Sequence, residues 1–254
     1  MKEKKTGENA ASAGLYNFCQ MIDFAGVRFQ NPVVCASGTF GYGLEFKRFF
    51  DPGKLGGLTF KALTLEKRIG NPHPRIAETE AGLINSVGLQ NEGLAYFVEH
   101  VYPLVKDIPT NLIVNLSANS VEEYVALTEA VTALTNIRII ELNVSCPNIH
   151  AGRIEFGTDP VGLEKLVRAC VKVSTKPIMP KLSPNVTKIT DVAMACEAGG
   201  ANAISLINTL VGMRIDIHSK KPSIHRTMGG YSGAGIKPVA LRMVYEVCRS
   251  VKLP

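Results

Sequence analysis

Residues 111–145, NLIVNLSANSVEEYVALTEAVTALTNIRIIELNVS, decide the fold. The segment begins and ends with the apolar runs NLIVNL and IRIIEL, and between them the apolar residues recur at helical spacing. Asn119 and Ser120 precede Glu122 and Glu123, which is typical of the start of a helix. The segment therefore predicts a strand, a helix and a second strand, and strands joined by a helix are parallel.

The same alternation of strand and helix extends over most of the chain, about six times. The apolar runs are VVCAS (33–37), LGGLTFKAL (55–63), NLIVNLSA (111–118), IRIIELNVS (137–145), KPIMPKLS (176–183) and NAISLINT (202–209). The segments with helical spacing are GLEFKRFF (43–50), NEGLAYFVEHVYPLVKDI (91–108), SVEEYVALTEAVTAL (120–134), GLEKLVRACVKVS (162–174), ITDVAMACEAGG (189–200) and PVALRMVYEVCRSV (238–251). Strands that are mostly apolar predict a parallel α/β sheet buried on both faces.

The N-terminal part of the chain has a different pattern. Residues 20–34, QMIDFAGVRFQNPVV, alternate around Gly26 and Asn31, as two short hairpin strands do. Residues 1–19 are expected to form a polar N-terminal tail. Because no linker, low-complexity stretch or run of charge divides the remainder, residues 20–254 are predicted to form one domain.

Composition narrows the functional class. The 254 residues are 46% hydrophobic, and 28 Lys and Arg against 22 Asp and Glu give a net charge of +6. The first residues, MKEKKTGENAASAG, lack the apolar core of a signal peptide, and the sequence has no uninterrupted apolar run of about 18 residues. We therefore expect a soluble cytoplasmic protein that does not bind membranes. Basic residues gather in two loop-like stretches, 54–75 and 214–237, and Trp is absent. This distribution favours an anionic small molecule over nucleic acid.

The six cysteines are scattered, without the paired or Cys/His spacing that binds metals. In a chain of this size we expect reduced thiols and no metal site. Cys170, Cys196 and Cys248 lie in predicted helices, where a free cysteine usually behaves as a small buried hydrophobic residue. Cys146 instead lies on a polar loop at the end of a predicted strand, so it is the candidate for chemistry.

Polar residues follow nearly every predicted strand. They are Ser37, Lys61, Asn115, Asn143 to Cys146, Lys181 and Asn208-Thr209. The alternation alone is compatible with a closed eight-stranded barrel and with an open doubly wound sheet. An open sheet concentrates its ligand contacts at one switch point, so polar residues after every strand favour the mouth of a barrel. Taken singly, each of these residues is also compatible with an ordinary helix cap or turn.

Two polar loops carry the strongest functional signal. ELNVSCPNIH (141–150) places the Cys146 thiol between the amides of Asn143 and Asn148. A thiol serves as a nucleophile or a general base, and an amide both donates to and accepts from a planar ligand. NSVGLQN (85–91) again combines amides with a glycine, in a long excursion that is also compatible with a structured crossover loop.

These segments resemble the class 1B dihydroorotate dehydrogenases, the catalytic flavin subunits of pyrimidine biosynthesis. The similar motifs are ASGTFGYG (36–43), FKALT (60–64) to RIGNPHPRIAET (68–79), INSVGLQNEG (84–93), ELNVSCPN (141–148), INTLVGMR (207–214) and GGYSGAGIKPVALR (229–242). The resemblance implies a TIM (β/α)8 barrel preceded by a β-hairpin. It also implies FMN across the barrel mouth, with dihydroorotate stacked on the isoalloxazine ring.

The resemblance implies a role for each matching residue. Cys146 would be the general base that takes the C5 proton of dihydroorotate while hydride leaves C6 for flavin N5. The substrate would be bound by Lys61, Asn85, Ser86, Val87, Gly88, Leu89, Asn143, Asn208 and Thr209. FMN would be bound by Ser37, Lys61, Ala62, Asn115, Asn143, Lys181, Ile207 and Gly233.

The resemblance also implies partners. Two class 1B catalytic subunits form a homodimer, and each pairs with a second subunit that carries FAD and a [2Fe-2S] cluster and passes electrons to NAD⁺. The complete assembly is a heterotetramer. This sequence lacks a cysteine pattern for the cluster, so a partner would supply it. The alternatives are a barrel similar to dihydropyrimidine dehydrogenase, which reduces uracil or thymine, and a non-catalytic remnant.

The sequence departs from the family pattern at its end. The last predicted helix is followed only by Lys252-Leu253-Pro254, where a further strand is expected. About six strand and helix units are present, so two of eight, about 60 residues, are expected to be missing. The FMN phosphate loops of the family would lie in those two units, so the sequence as written is expected to fold poorly and to bind flavin poorly.

Overall fold

The computed structural model describes residues 21–145 and 156–254. Within them the strands are β1 (Ile22–Phe24), β2 (Val27–Phe29), β3 (Val34–Cys35), β4 (Gly57–Thr59), β5 (Ile76–Thr79), β6 (Gly82–Asn85), β7 (Asn111–Leu116), β8 (Ile137–Asn143), β9 (Ile178–Lys181), β10 (Leu210–Met213), β11 (Ile215–Asp216), β12 (Lys221–Pro222) and β13 (Met228–Ser232). The helices are α1 (Leu94–Tyr96), α2 (Tyr102–Val105), α3 (Val121–Thr132), α4 (Pro160–Val173), α5 (Ile189–Ala198) and α6 (Lys237–Ser250). A π-helical turn, Phe97–Val101, joins α1 to α2.

The main sheet is parallel and has the strand order β3-β4-β7-β8-β9. A sixth extended segment, residues 202–208, continues it beside β9, because Leu182 N–H donates to the Ser205 carbonyl at 3.0 Å. Ile204 N–H in turn donates to the carbonyl of Pro254 at 3.0 Å. The predicted α/β architecture with a parallel sheet is therefore confirmed, and all six predicted strand segments lie in it.

Helix ends follow local side-chain chemistry. The Ser120 hydroxyl accepts from Glu123 N–H at 3.2 Å at the start of α3. The Asp159 carboxylate accepts from Val161 N–H at 3.1 Å at the start of α4, where a proline occupies the first helical position. These two caps determine where α3 and α4 begin and therefore where the loops before them end.

The two faces of the parallel sheet pack separately. On one face, α3, α4 and α5 cover a large apolar cluster that includes Leu112, Val114 and Ile140. On the other face, Ile113, Ile139, Met179 and Ala203 form a smaller cluster with Val27 and Phe29 of the hairpin. Since alternate strand residues point to opposite faces, this second cluster defines the inner face of the sheet. The predicted hairpin is confirmed, and it packs on that inner face.

A second sheet is antiparallel and has the order β10-β13-β6-β5. The β5–β6 hairpin belongs to the excursion after β4, and β10 and β13 belong to the excursion after the sixth parallel segment. Tyr231 of β13 pairs with Ile84 of β6. Two loops that are far apart in the sequence therefore meet at the same end of the parallel sheet.

Two expectations from the sequence are wrong. Residues 43–50 form consecutive turns instead of a helix. Gly41 and Gly43 have positive φ angles there, and Phe40 stacks on Phe46 with ring centroids 4.4 Å apart, so local turns and aromatic packing outweigh helical spacing. Cys248 is exposed on α6, because this helix covers the core with its other side.

We expect Phe29→Ala to lower the free energy of unfolding by about 3–5 kcal/mol, because the ring is buried in the inner-face cluster. Phe49→Ala is the matched control, since 73% of that side chain is exposed, and it is expected to cost less than about 1 kcal/mol. Urea denaturation of both variants is the measurement. Equal losses would show that the hairpin does not contribute to the core.

Candidate active site

The candidate site lies on the inner face of the sheet, next to the apolar cluster and closer to the carboxyl ends of the strands. In β7 and β8, Asn115 pairs with Glu141, two residues beyond the pair Ile113 and Ile139 and on the same face of the sheet. Both polar side chains are buried, with exposed fractions of 1% and 3%. Asn115 Nδ2 donates to Glu141 Oε1 at 2.6 Å, while Asn115 Oδ1 is buried without a partner among the described residues.

Lys61 lies at the end of β4, where its N–H donates to the Gly41 carbonyl at 3.1 Å. Burial lowers the pKa of the Lys61 ammonium below its ordinary value, and the nearby Arg75 cation lowers it further. Glu45 acts in the opposite direction. A half-buried cation whose charge is destabilised by its surroundings is suited to bind an anion.

A hydrogen bond beside Lys61 connects the segments that follow β3 and β4. The Ser37 hydroxyl donates to the Phe60 carbonyl at 2.8 Å, and Ala62 is buried. These two predicted FMN contacts therefore lie next to each other at the ends of β3 and β4.

Two amides from distant strands meet at the ends of β8 and the sixth segment. Asn208 Nδ2 donates to Asn143 Oδ1 at 3.1 Å, and the Tyr124 hydroxyl donates to the backbone carbonyl of Asn143 at 2.6 Å. Asn208 Oδ1 accepts from Thr209 N–H at 2.7 Å. The structure therefore brings together three residues that the resemblance assigns to the substrate.

The loop after β8 is tied to β9. The Ser145 hydroxyl donates to the Lys181 carbonyl at 3.0 Å, and Lys181 itself pairs with Asn143. Cys146, the predicted base, lies in residues 146–155, outside the part of the chain that the structure describes.

The NSVGLQN loop has a defined path. Asn71 Nδ2 donates to the Ser86 carbonyl at 2.8 Å, and Asn71 N–H donates to the Val87 carbonyl at 3.0 Å. Gly88 has a φ of +79, and a Cβ there would lie 2.8 Å from Asn71, so this turn needs glycine. Leu89, the next residue, also has a positive φ.

The antiparallel sheet connects this loop to the sixth segment. Asn85 Nδ2 donates to the Gly230 carbonyl at 3.3 Å. A Cβ on Gly230 would collide with the Thr209 hydroxyl. Asn85 and Thr209, two predicted substrate-binding residues, therefore both lie against the backbone of Gly230, where only glycine fits. Of the remaining candidates, Ile207 follows a cis peptide bond and Gly233 precedes α6 with a φ of +120.

None of the helices within residues 21–145 and 156–254 is both long and apolar enough to cross a membrane. Over the same residues, no group of three or more His, Cys, Asp or Glu side chains is placed to hold a metal ion.

Comparison with known proteins decides the family. The model of the family described as dihydroorotate dehydrogenase matches residues 20–254. The chain belongs to the dihydroorotate dehydrogenase family. Over 233 residues it is 50% identical to the dihydroorotate dehydrogenase B (NAD(+)) catalytic subunit of Phocaeicola vulgatus, which covers 92% of this chain and 77% of the relative. The proteins of the same description from Bacteroides thetaiotaomicron (49%; 92% and 77%) and Parabacteroides distasonis (49%; 92% and 76%) are similar to the same extent.

This dihydroorotate dehydrogenase family member contains an organising residue that sequence reasoning missed. Asn91 is buried, its Oδ1 accepts from Gly93 N–H at 2.9 Å, and its Nδ2 donates to the Leu89 carbonyl at 2.7 Å and to the Thr64 hydroxyl at 2.8 Å. It therefore anchors the end of the NSVGLQN loop to the residues that follow Lys61. The only sequence signal was the position of Asn91 at the end of that motif.

Asn91→Ala is expected to lower the free energy of unfolding by about 2–4 kcal/mol, because it leaves several buried polar groups unpaired. The matched control is Asn136→Ala, which removes one exposed hydrogen bond, to the Lys106 carbonyl, and should cost about 1 kcal/mol. Thermal unfolding and hydrogen exchange of residues 85–91 are the measurements. Undiminished protection of the loop in Asn91→Ala would contradict the anchoring role.

Proposed function

We propose that this chain oxidises dihydroorotate to orotate with FMN, as a catalytic subunit in pyrimidine biosynthesis. The observation that carries the proposal is the 3.1 Å hydrogen bond between Asn143 and Asn208, which come from different strands of the parallel sheet. It unites two amides, suited to the ring carbonyl and N–H groups of orotate, and Asn143 lies three residues before Cys146 in the sequence.

The residues present fit FMN. Asn115 Oδ1 and the Ser117 hydroxyl are buried without partners among the described residues, at the strand ends where a ring with N–H and carbonyl groups would bind. We assign FMN binding to Ser37, Lys61, Ala62, Asn115, Asn143, Lys181, Ile207 and Gly233. When bound, FMN supplies the acceptor for the hydride that leaves C6.

The protein's own residues would bind the substrate and move its proton. The Lys61 ammonium would pair with the substrate carboxylate. Because burial and the nearby Arg75 charge destabilise the ammonium, an anion beside it would be bound favourably. Asn143, Asn208 and Thr209 orient the ring from one side, and residues 85–89 bind it from the other excursion. Cys146 removes the C5 proton, for which a thiol with a reference pKa of about 8.5 is a suitable base near neutral pH.

We also propose the finer architecture that this function requires. Residues 20–254 would be one domain, and the six parallel segments would be six of the eight strands of a TIM barrel, with two further units completing it. Two facts support this: the inner face carries its own apolar cluster, and polar residues lie at or just beyond the carboxyl end of each parallel strand.

The partner completes the electron path. We propose a homodimer joined to a subunit with FAD and a [2Fe-2S] cluster, in the cytoplasm, where NAD⁺ is the final acceptor. The relatives' description as NAD(+)-linked catalytic subunits supports a separate electron-transfer subunit. The cysteine spacing of this chain supplies no cluster of its own.

The decisive experiment is the visible spectrum of the purified protein with FMN, before and after anaerobic dihydroorotate. Bleaching of a bound flavin band with dihydroorotate, and no bleaching with dihydrouracil, is the result that the proposed function requires, and it would show that the expectation of poor folding and poor flavin binding is wrong. Bleaching by dihydrouracil alone would favour the dihydropyrimidine dehydrogenase alternative. A folded protein that binds no flavin would be the non-catalytic remnant.

A further inference from the structure

Glu141 is a buried carboxylate for which the proposed reaction has no role. It lies on β8 with an exposed fraction of 3%, on the inner face of the sheet. None of the ion pairs found among the described residues involves it. Because burial of a carboxylate without a cation is costly, an apolar residue here would serve the core better. The cost points to a function at this position.

The hydrogen bond to Asn115 determines how that amide is oriented. A carboxylate only accepts hydrogen bonds, so the Asn115 amide must turn its Nδ2 toward Glu141 Oε1, 2.6 Å away. Rotation of the amide by half a turn would place two oxygens against each other. Asn115 Oδ1 consequently faces away from Glu141, buried and without a partner in the described part of the chain.

We propose that Glu141 is a positioning residue that fixes Asn115 as a hydrogen-bond acceptor for an N–H group of the bound flavin. This inference rests on the proposed binding of FMN. An oxidised isoalloxazine ring has a single N–H group, at N3, whereas its other polar ring atoms accept. A fixed acceptor therefore selects the N3–H edge of the ring, and an amide free to rotate would not.

The test compares FMN with its N3-methyl analogue, which lacks that N–H. Dissociation constants for both are measured by flavin fluorescence in the wild-type protein and in Glu141→Gln. A glutamine accepts or donates, so Asn115 can then present either end of its amide. We expect the wild type to bind FMN about tenfold or more tightly than the analogue, and Glu141→Gln to reduce this preference to about threefold or less.

A second variant tests the polarity itself. In the double variant Glu141→Gln with Asn115→Asp, the introduced glutamine amide donates to the introduced carboxylate, which again presents an acceptor to the ligand. The preference for FMN over the analogue is expected to return. The control is Glu246→Gln on α6, where Glu246 Oε1 accepts from Arg242 at 2.6 Å on the exposed side of the helix. It is expected to leave the preference unchanged.

Each outcome has one meaning. A wild-type protein that binds neither flavin would contradict the proposed function. Wild-type discrimination that is retained in full by Glu141→Gln would overturn the positioning role and leave the function intact. A lower melting temperature of Glu141→Gln with unchanged discrimination would show a purely structural role. If that variant does not fold, the double variant still tests the inference, because its failure to discriminate would contradict it.

Discussion

Cys146→Ala is expected to lower kcat by about 10²–10⁴, the usual contribution of a positioned general base, while FMN remains bound. The size of this effect follows from the proposed role, because no other thiol or imidazole is assigned to the C5 proton. The residues before Cys146 are held by the Ser145 bond to the Lys181 carbonyl and by the Asn143–Asn208 pair, so the rest of the site is expected to survive the change. The measurement is the rate of flavin bleaching by dihydroorotate in an anaerobic stopped-flow instrument.

Cys248→Ala is the matched control for this loss. That thiol is exposed on α6, outside the candidate site, and its removal should leave the bleaching rate within about twofold of the wild type. A Cys146→Ala protein that bleaches as fast as Cys248→Ala would assign the proton transfer to another group.

Lys61→Met is expected to lower kcat/KM for dihydroorotate by about 30- to 1000-fold. This corresponds to about 2–4 kcal/mol for the loss of one member of the proposed charge pair with the substrate carboxylate. Methionine keeps most of the aliphatic volume and removes the charge. Steady-state kinetics at saturating FMN measures the effect, with Lys47→Met as the control because that side chain is exposed. A loss confined to FMN binding would restrict Lys61 to the cofactor.

The same variant is expected to be more stable than the wild type near neutral pH. The pKa of Lys61 is lower in the folded protein than in the unfolded chain, so the folded state binds this proton more weakly. The cost of the buried cation is present below the folded pKa and disappears as pH rises through the unfolded value. The difference in melting temperature between Lys61→Met and wild type should therefore be positive at pH 7 and shrink toward pH 10 and above. A difference that grows with pH would contradict the burial of this cation.

Much of the site was predictable because its residues lie in motifs of short range. ELNVSCPN and NSVGLQN place amides, a thiol and a glycine within a few residues of one another. ELNVSCPN follows a strand that apolar spacing identifies, and NSVGLQN lies in the long excursion after the second predicted strand. Glu141 and Asn91 were not predicted, although both belong to those motifs. Their roles depend on partners in other elements, Asn115 and Thr64, that no local pattern shows.

The sequence alone determined the alternation of strand and helix, the hairpin and the helix starts at Ser120 and Asp159. These features depend on residue spacing and on contacts between near neighbours. Only the tertiary structure decided that residues 43–50 form turns, that Cys248 is exposed and that Asn143 meets Asn208. It also decided that the excursions after β4 and after residues 202–208 join in one antiparallel sheet. Such contacts form between segments that lie at the same end of the parallel sheet. Strand pairing decides which segments these are, because it brings together groups that are tens of residues apart in the chain.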